Sequence, residues 1–423
     1  MKEKIVQIFK NEELRKKIFF VLALLVTFRL AANVPLPGVD TSQLEKFFSE
    51  NQLFGLMNMF SGGGLSNISI VLLGVGPYIT ASIIMQLLTM IFPRLDQLNK
   101  EEGEAGRQKF NAWTRWLTVP LAGLQTFSMI TILRGQGVIG TLLPMDIFVM
   151  LVIATAGTIF LMWLGELITE KGIGNGVSLI IFAGIVASLP SGVSRMISTF
   201  DSTDFFNYVL FAAVGLFTIA GVVMVNEGQR NIPISYAKRM KGSTMQGGTS
   251  THLPLKVNQA GVIPIIFAVS IILFFGVAAN FFSGIGNETI SGIAQYVNAL
   301  LQNQLFYGSV YFIMVVLFTY FYTAVIFDPH KIAENLQKQG GYIPGIRPGD
   351  NTAQYLERII NRIILSGALF LGSIAVLPLV VQGATGIQVM TIGGTSILIV
   401  VSVVIEMIKQ IEGQLVMRDY EGF

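Results

Sequence analysis

Residues 207–226 read NYVLFAAVGLFTIAGVVMVN, an uninterrupted run without one Asp, Glu, Lys or Arg. An apolar helix needs about 20 residues to cross the hydrocarbon core of a bilayer, and this run has that length. Working outward, comparable apolar stretches recur at 18–34, 68–92, 114–133, 147–168, 174–190, 259–279, 307–327, 363–382 and 391–411, which makes ten candidate spans. The connections between them differ sharply in charge. Alternate ones, at 1–17, 94–115, 171, 230–256, 331–362 and 409–418, hold 24 of the 28 Lys and Arg residues, and the other side keeps only Arg29, Lys46, Arg134 and Arg195. Orientation follows Lys and Arg in short loops. The basic side is therefore expected to be cytoplasmic and, since ten is even, both termini with it. The expected localisation is the cytoplasmic (cell) membrane, crossed many times.

Composition agrees: 52% of residues are hydrophobic, only 13% are charged, and the mean hydropathy is +0.65. A soluble domain carries about 25% charged residues, so half of that charge is missing. The net charge of +3 reflects the basic loops rather than a nucleic-acid-binding surface. With no Cys there is neither a disulfide nor a thiolate nucleophile. The first apolar run follows Arg15-Lys16-Lys17 without a small-residue cleavage site, so it is expected to be a retained anchor.

Catalytic chemistry finds no foothold. There is no Gly-x-x-x-x-Gly-Lys-[Ser/Thr] loop, no Gly-x-Ser-x-Gly elbow and no His-Glu-x-x-His, and the two histidines, His252 and His330, sit apart in loops. The expectation is no enzyme, no cofactor and no metal. Ion-coupled transport draws on charged groups at mid-membrane, where they are costly and tend to be functional. The spans hold few: Arg29 near an external end, Glu166 and Glu406 near cytoplasmic ends. Their mid-span polarity is uncharged, at Gln86, Thr89, Gln125 and Ser270, and such groups seek partners across helices at about 0.6–2 kcal/mol each. Pro77, Pro120 and Pro264 fall inside expected spans, freeing carbonyls that lipid cannot satisfy.

Three regions outside the spans stand out. The external segment 52–66 is apolar but too short to cross, and reads either as an interfacial segment or as a half-helix folded into a cavity, with Gly62-Gly63-Gly64 as its hinge. Two long cytoplasmic loops, 227–257 and 328–361, concentrate basic residues, and the second carries Gly345-Ile346-Arg347-Pro348-Gly349, which presents one Arg between backbone breakers. On these residues alone, a channel and an ion-coupled secondary transporter with inverted repeats both stand, and a membrane scaffold leaves the 52–66 segment without a role.

Several segments resemble the SecY family, the channel subunits of the bacterial protein translocase. They are Pro77-Tyr78-Ile79-Thr80-Ala81-Ser82-Ile83-Ile84, Gly172-Ile173-Gly174-Asn175-Gly176-Val177-Ser178, Val257-Asn258-Gln259-Ala260-Gly261-Val262-Ile263-Pro264 and Gly345-Ile346-Arg347-Pro348-Gly349, with Glu102-Gly103-Glu104-Ala105-Gly106-Arg107, Gly393-Gly394-Thr395-Ser396 and Val34-Pro35-Leu36-Pro37-Gly38 in the same order along the chain. The resemblance implies an all-α polytopic membrane protein, ten transmembrane helices in two inverted five-helix halves around a central pore. The halves would be 1–200 and 201–423, hinged near 191–206. It implies a constriction ring of Ile79, Ile83, Val177, Ile181, Ile266 and Ile399. It implies an external plug at about 55–66, with Phe54, Leu56, Met57, Met59, Phe60, Gly62, Gly63 and Gly64. A lateral gate would run between the second and third spans and the seventh and eighth, along Gln86, Thr89, Gln125, Ser270 and Phe274. Docking of a ribosome or of the motor ATPase SecA would fall on Arg107, Arg239, Lys241, Arg347, Pro348 and Gly349. The implied partners are the small subunits SecE and SecG, SecA, the ribosome, signal-sequence-bearing chains and membrane lipids.

Overall fold

The computed structural model describes residues 10–36, 61, 64–65, 68–100, 103–135, 143–198, 205–236, 239–241, 244–246, 250–283, 288–385 and 391–421. The chain is built from α1 (Glu12–Ala32), α2 (Gly76–Ile91), α3 (Pro93–Lys100), α4 (Gly103–Gly135), α5 (Pro144–Lys171), α6 (Gly176–Ser198), α7 (Phe205–Glu227), α8 (Ile263–Ser283), α9 (Glu288–Gln302), α10 (Gln304–Ile326), α11 (Pro329–Lys338), α12 (Asp350–Thr385) and α13 (Thr391–Glu421). Between α7 and α8 lie β1 (Gln229–Tyr236), β2 (Arg239–Lys241), β3 (Thr244–Gln246) and β4 (Ser250–Lys256), and β5 (Gly341–Tyr342) follows α11. Each of the ten expected spans falls on a helix: α1, α2, α4, α5, α6, α7, α8, α10, α12 and α13. Six of these, α4, α5, α7, α8, α10 and α12, are long and apolar enough by length and composition alone to cross a membrane, and α2 and α6 are shorter apolar helices.

Burial ranks the spans. Only 11% of the apolar window of α7 is covered by protein, against 56% for α8. α7, which contains the run 207–226, is thus a peripheral helix, with Phe206, Phe217 and Met224 exposed. α8 is central. It packs on α2 and α4 on one side and on α10 on the other, and Phe267 meets Phe318 and Tyr322 of α10 edge-on at 5.9 Å, an arrangement that ring quadrupoles favour.

Helix ends correct several expectations. Residues 68–75 form consecutive turns, and α2 begins only at Gly76 with Pro77 in its first turn. Pro264 likewise falls at the start of α8. A first-turn proline lacks only an N–H that has no helical partner anyway, so neither residue breaks a span; Pro120 does lie within α4. α12, with 36 residues, is far longer than its apolar stretch. At 1.5 Å per residue it reaches about 54 Å, beyond the roughly 30 Å hydrocarbon core. Its N-terminal turns therefore stand clear of the bilayer.

The two basic loops are one structure. β1 pairs antiparallel with β4 along its length and, on its other edge, with β5 from the second loop, giving the order β4-β1-β5. Ile232 and Ile234 alternate inward on β1, and Ile232, Leu255 and Ile343 pack with Leu356, Ile359, Ile360 and Ile364 of α12 in a small core. A three-stranded sheet with one face on a helix meets the minimum for independent stability, and it adds a β element to the all-α class.

Candidate functional site

The i,i+4 spacing sets Ile79 and Ile83 on one face of α2, and Val177 and Ile181 on one face of α6. Those two faces, with Ile266 of α8 and Ile399 of α13, enter one hydrophobic cluster. Val177 is half-buried and the other five are buried. The cluster is large, so membership alone does not single out six residues. A cavity does. It has a volume of about 730 Å³, and Ile79, Val177 and Ile266 line it together with Glu104, Gln108, Asn111 and Arg115 of α4, Glu166, Thr169 and Glu170 of α5, and Asn175 and Ser178. Its walls are thus polar toward the basic side of the protein, and aliphatic where α2, α6 and α8 converge. Beyond them, Val71 and Val75 of the 68–75 turns pack into the same cluster.

Local chemistry fixes this geometry. The Arg115 Nε donates to Glu166 Oε1 at 2.8 Å, tying α4 to α5 at the cavity wall. Asn175 caps α6 by accepting from the Ser178 amide at 3.2 Å, and the Gly176 amide donates to Thr169 Oγ1 at 2.9 Å. A Cβ on Gly176 would overlap the carbonyl oxygen of Gly165. Only glycine lets α6 start this close to α5, which brings Val177 to the cavity.

The gate residues separate into two places. Gln125, Ser270 and Phe274 line a pocket of about 30 Å³ between α2, α4 and α8, with Thr80 and Gly76. That space suits about two waters. Gln86 instead lines the large cavity. Two of the gate groups bond within α2 rather than across the seam: Gln86 Nε2 donates to Ser82 Oγ at 3.2 Å and Thr89 Oγ1 to the Gln86 carbonyl at 2.6 Å; Thr80 Oγ1 beside the pocket likewise donates to the Gly76 carbonyl at 3.1 Å. A helical hydroxyl reaches its own i−4 or i−3 carbonyl more cheaply than a neighbouring helix. What crosses the seam is an edge-on pair of rings, Phe127 of α4 and Phe281 of α8 at 5.9 Å.

Of the plug residues, Phe54, Leu56, Met57, Met59, Phe60, Gly62 and Gly63 lie outside the described residues. Gly64 is described, and it is stitched in place: its amide donates to the Ser61 carbonyl at 3.2 Å and its carbonyl accepts from the Ser69 amide at 2.7 Å. An added Cβ would come within 2.8 Å of Ser69 Oγ and 2.9 Å of the Val71 carbonyl. Gly64 is a fixed junction, and Leu65 beside it is fully buried against Ile68, Leu72, Met129 and Leu133.

On the basic side, Arg347 and Pro348 are exposed on a turn whose ends, Gly345 (φ +83°) and Gly349 (φ +95°), take the left-handed conformation that suits glycine. Thr352 Oγ1 donates to the Arg347 carbonyl at 2.9 Å and holds the turn on the start of α12. Arg107 is exposed near the start of α4. Arg239 and Lys241 sit on β2, paired with Gln246 and Thr244 of β3, and their side chains lie outside the described residues. On nearby α11, a hydrogen-bonded Lys338 at 2.6 Å holds the Glu334 carboxyl below its usual range.

Sequence reasoning did not pick out Tyr78, Arg115, Asn175 or Tyr322 as lining residues. One signal was present: Glu166 and Arg115 are opposite charges near the cytoplasmic ends of consecutive spans.

Comparison with known proteins now bears on this geometry. The SecY family model matches residues 69–408. The chain is 46% identical over 433 residues to the protein translocase subunit SecY of Streptomyces galbus, covering 98% of each chain. It is 43% identical over 441 residues to that of Corynebacterium glutamicum, covering 99% of each. Among solved structures, its fold matches a protein-conducting channel (TM-score 0.63, 20% identity, 94% of this chain and 91% of the other). It also matches a SecY structure concerned with how the plug domain stabilises the closed channel (TM-score 0.64, 20% identity, 94% and 91%).

Proposed function

This chain belongs to the SecY family of protein translocase subunits, and from that premise we propose how its geometry conducts an unfolded polypeptide. It is a multi-pass membrane protein and the channel subunit of a translocase, and the transporter reading lapses with that membership. The observation that carries the mechanism is the change of lining within one cavity, polar on α4 and α5 and aliphatic at Ile79, Val177 and Ile266. A chain entering from the basic side is kept solvated down to that floor. The floor, completed by Ile83, Ile181 and Ile399, blocks ions by excluding water when narrow. It also closes around any passing sequence, because aliphatic groups make no specific hydrogen bonds.

We assign α2 and α4 against α8 and α10 as the lateral gate, with Gln125, Ser270 and Phe274 at its small wettable pocket and Gln86 and Thr89 further along α2. A signal sequence opens such a seam only through its higher affinity for the open state. A seam at which Gln86 and Thr89 bond within α2 keeps that requirement low. The segment at about 55–66 is assigned as the plug. The halves, 1–200 and 201–423, would hinge near 191–206, where 199–204 lie outside the described residues. Both termini are placed in the cytoplasm. Docking of SecA or the ribosome is assigned to Arg107, Arg239, Lys241 and the Arg347-Pro348-Gly349 turn, and SecE and SecG are the accompanying subunits. A structural neighbour in a canine ribosome-channel complex, with TM-score 0.59 and 19% identity, supports the ribosome as one such partner.

A photo-crosslinking residue at position 83, with a secretory chain stalled in transit, tests the path. An adduct formed only with the stalled chain, and absent at exposed Phe217, is the expected result. No adduct during active translocation sends the path elsewhere.

A further inference from the structure

α9 was not anticipated from sequence, and its surface divides into three faces. The first touches protein: Ala294 is 5% exposed, Asn298 Nδ2 donates to Asn280 Oδ1 of α8 at 3.0 Å, and Ser291 Oγ donates to the Ser283 carbonyl at 3.0 Å. The second is polar and open, with Glu288, Gly292, Gln295, Ala299 and Gln302 at helical spacing. The third is apolar, running Ile290, Ile293, Val297, Leu300, with Tyr296 on its border toward the polar face. On it Ile290, Ile293 and Tyr296 are 41%, 63% and 66% exposed.

Two faces suffice for a helix packed on a protein in water. A third face that is apolar, exposed and set between the other two calls for a third medium. Its occupant is indicated by continuity. α8 exposes Phe275 and Phe282, and α10, which begins two residues after α9 ends, exposes Leu305 and Phe306. These side chains belong to the lipid-facing surface of two spans, and the Ile290–Ile293–Tyr296 face extends that surface at its end remote from the sheet. α9 itself cannot span: its 15 residues reach about 22 Å, short of the roughly 30 Å core. Its one charged residue, Glu288, is on the polar face. A tyrosine at the border of apolar and polar faces suits the headgroup level.

We infer that α9 is an interfacial helix whose Ile290, Ile293 and Tyr296 dock on the outer leaflet at the boundary of acyl chains and headgroups. Because Asn298 and Ser291 bond it to α8, it holds the end of that helix at the level of the membrane surface. The inference requires that α8 spans the bilayer and nothing more about what passes through the channel.

The chain has no Cys, so single cysteines at 293, 296, 295 and 299 each accept one environment-sensitive fluorophore. The full translocase, reconstituted in phosphatidylcholine–phosphatidylglycerol vesicles, is then exposed to lipids with a nitroxide near the headgroup or deep in the chain, and to aqueous iodide. Labels at 293 and 296 should lose fluorescence to the shallow nitroxide more than to the deep one and resist iodide, while those at 295 and 299 should be quenched by iodide and little by the deep nitroxide. A label at 293 open to iodide and indifferent to nitroxide overturns the inference in favour of water. One shielded from both overturns it in favour of a protein partner or a second copy. The measurement reads depth, not translocation, so its failure leaves the channel reading intact.

Discussion

Replacing Ile266 by Asn tests the aliphatic floor directly. Ile266 is 4% exposed and borders both the cavity and the cluster beneath it. Removing the buried side chain forfeits about 1.5–3 kcal/mol, and leaving an amide without a partner there costs about 1–3 kcal/mol more. In an open, wetted floor neither penalty applies, so about 2.5–6 kcal/mol is taken from the closed state relative to the open one. A shift of about 5.5 kcal/mol carries a two-state equilibrium from 1:99 to 99:1. The open population of Ile266→Asn should therefore rise on the order of 10²–10⁴-fold before it saturates. Resting conductance in planar bilayers reads this, and export of a precursor with a defective signal sequence should rise with it. Two controls separate gating from general damage. Ile266→Leu conserves volume and should cost less than about 1.5 kcal/mol, with little leak. Ile360→Asn makes the same chemical change in the core under the sheet, where Ile360 is 5% exposed, and should lower stability without leak. Ion-tight Ile266→Asn channels with normal signal discrimination, or equal leak from Ile360→Asn, would refute the reasoning.

Arg347→Glu should leave the folded protein within about 0.5 kcal/mol of wild type, since the side chain is exposed, yet reduce SecA-driven import into proteoliposomes; wild-type import would remove Arg347 from the docking surface. Gly176→Ala should cost about 1–3 kcal/mol through overlap with the Gly165 carbonyl, seen as a lower unfolding midpoint in detergent. Gly292→Ala, with nothing within 4 Å of its Cβ on helical α9, should instead gain about 0.5–1 kcal/mol. A double-mutant cycle on Arg115 and Glu166 should return a coupling of about 0.2–1 kcal/mol, because Arg115 is 51% exposed; a larger value would mean the pair is drier than its exposure implies.

The membrane class and the ten helical spans were legible because lipid admits so few solutions: apolar length carries them almost alone. Helix ends were not, since nothing apolar marks where α12 continues past its span as far as Asp350. The sheet was hidden by the partition of the chain into loops. β1 and β5 lie about a hundred residues apart, and although Ile232 and Ile234 alternate in the strand pattern, β5 is two residues long and carries no periodicity. At the site, the resemblance to the SecY family supplied Ile79, Val177 and Ile266, which in so apolar a chain no spacing argument could have distinguished from packing. The partners of Gln86 and Thr89 were not legible for a physical reason: each had a polar group of its own helix within reach, the Ser82 hydroxyl and the Gln86 carbonyl.

The short pairing of Ser235 with Tyr342 and Tyr236 with Gly341 makes the exposed turn at Arg347 a handle rather than a tether. Through β1 it grips the end of α7, through α11 the end of α10, and through Thr352 the start of α12. A load applied at that turn reaches three long helices, α7, α10 and α12, at once, and α1 to α6 only through the packed interior.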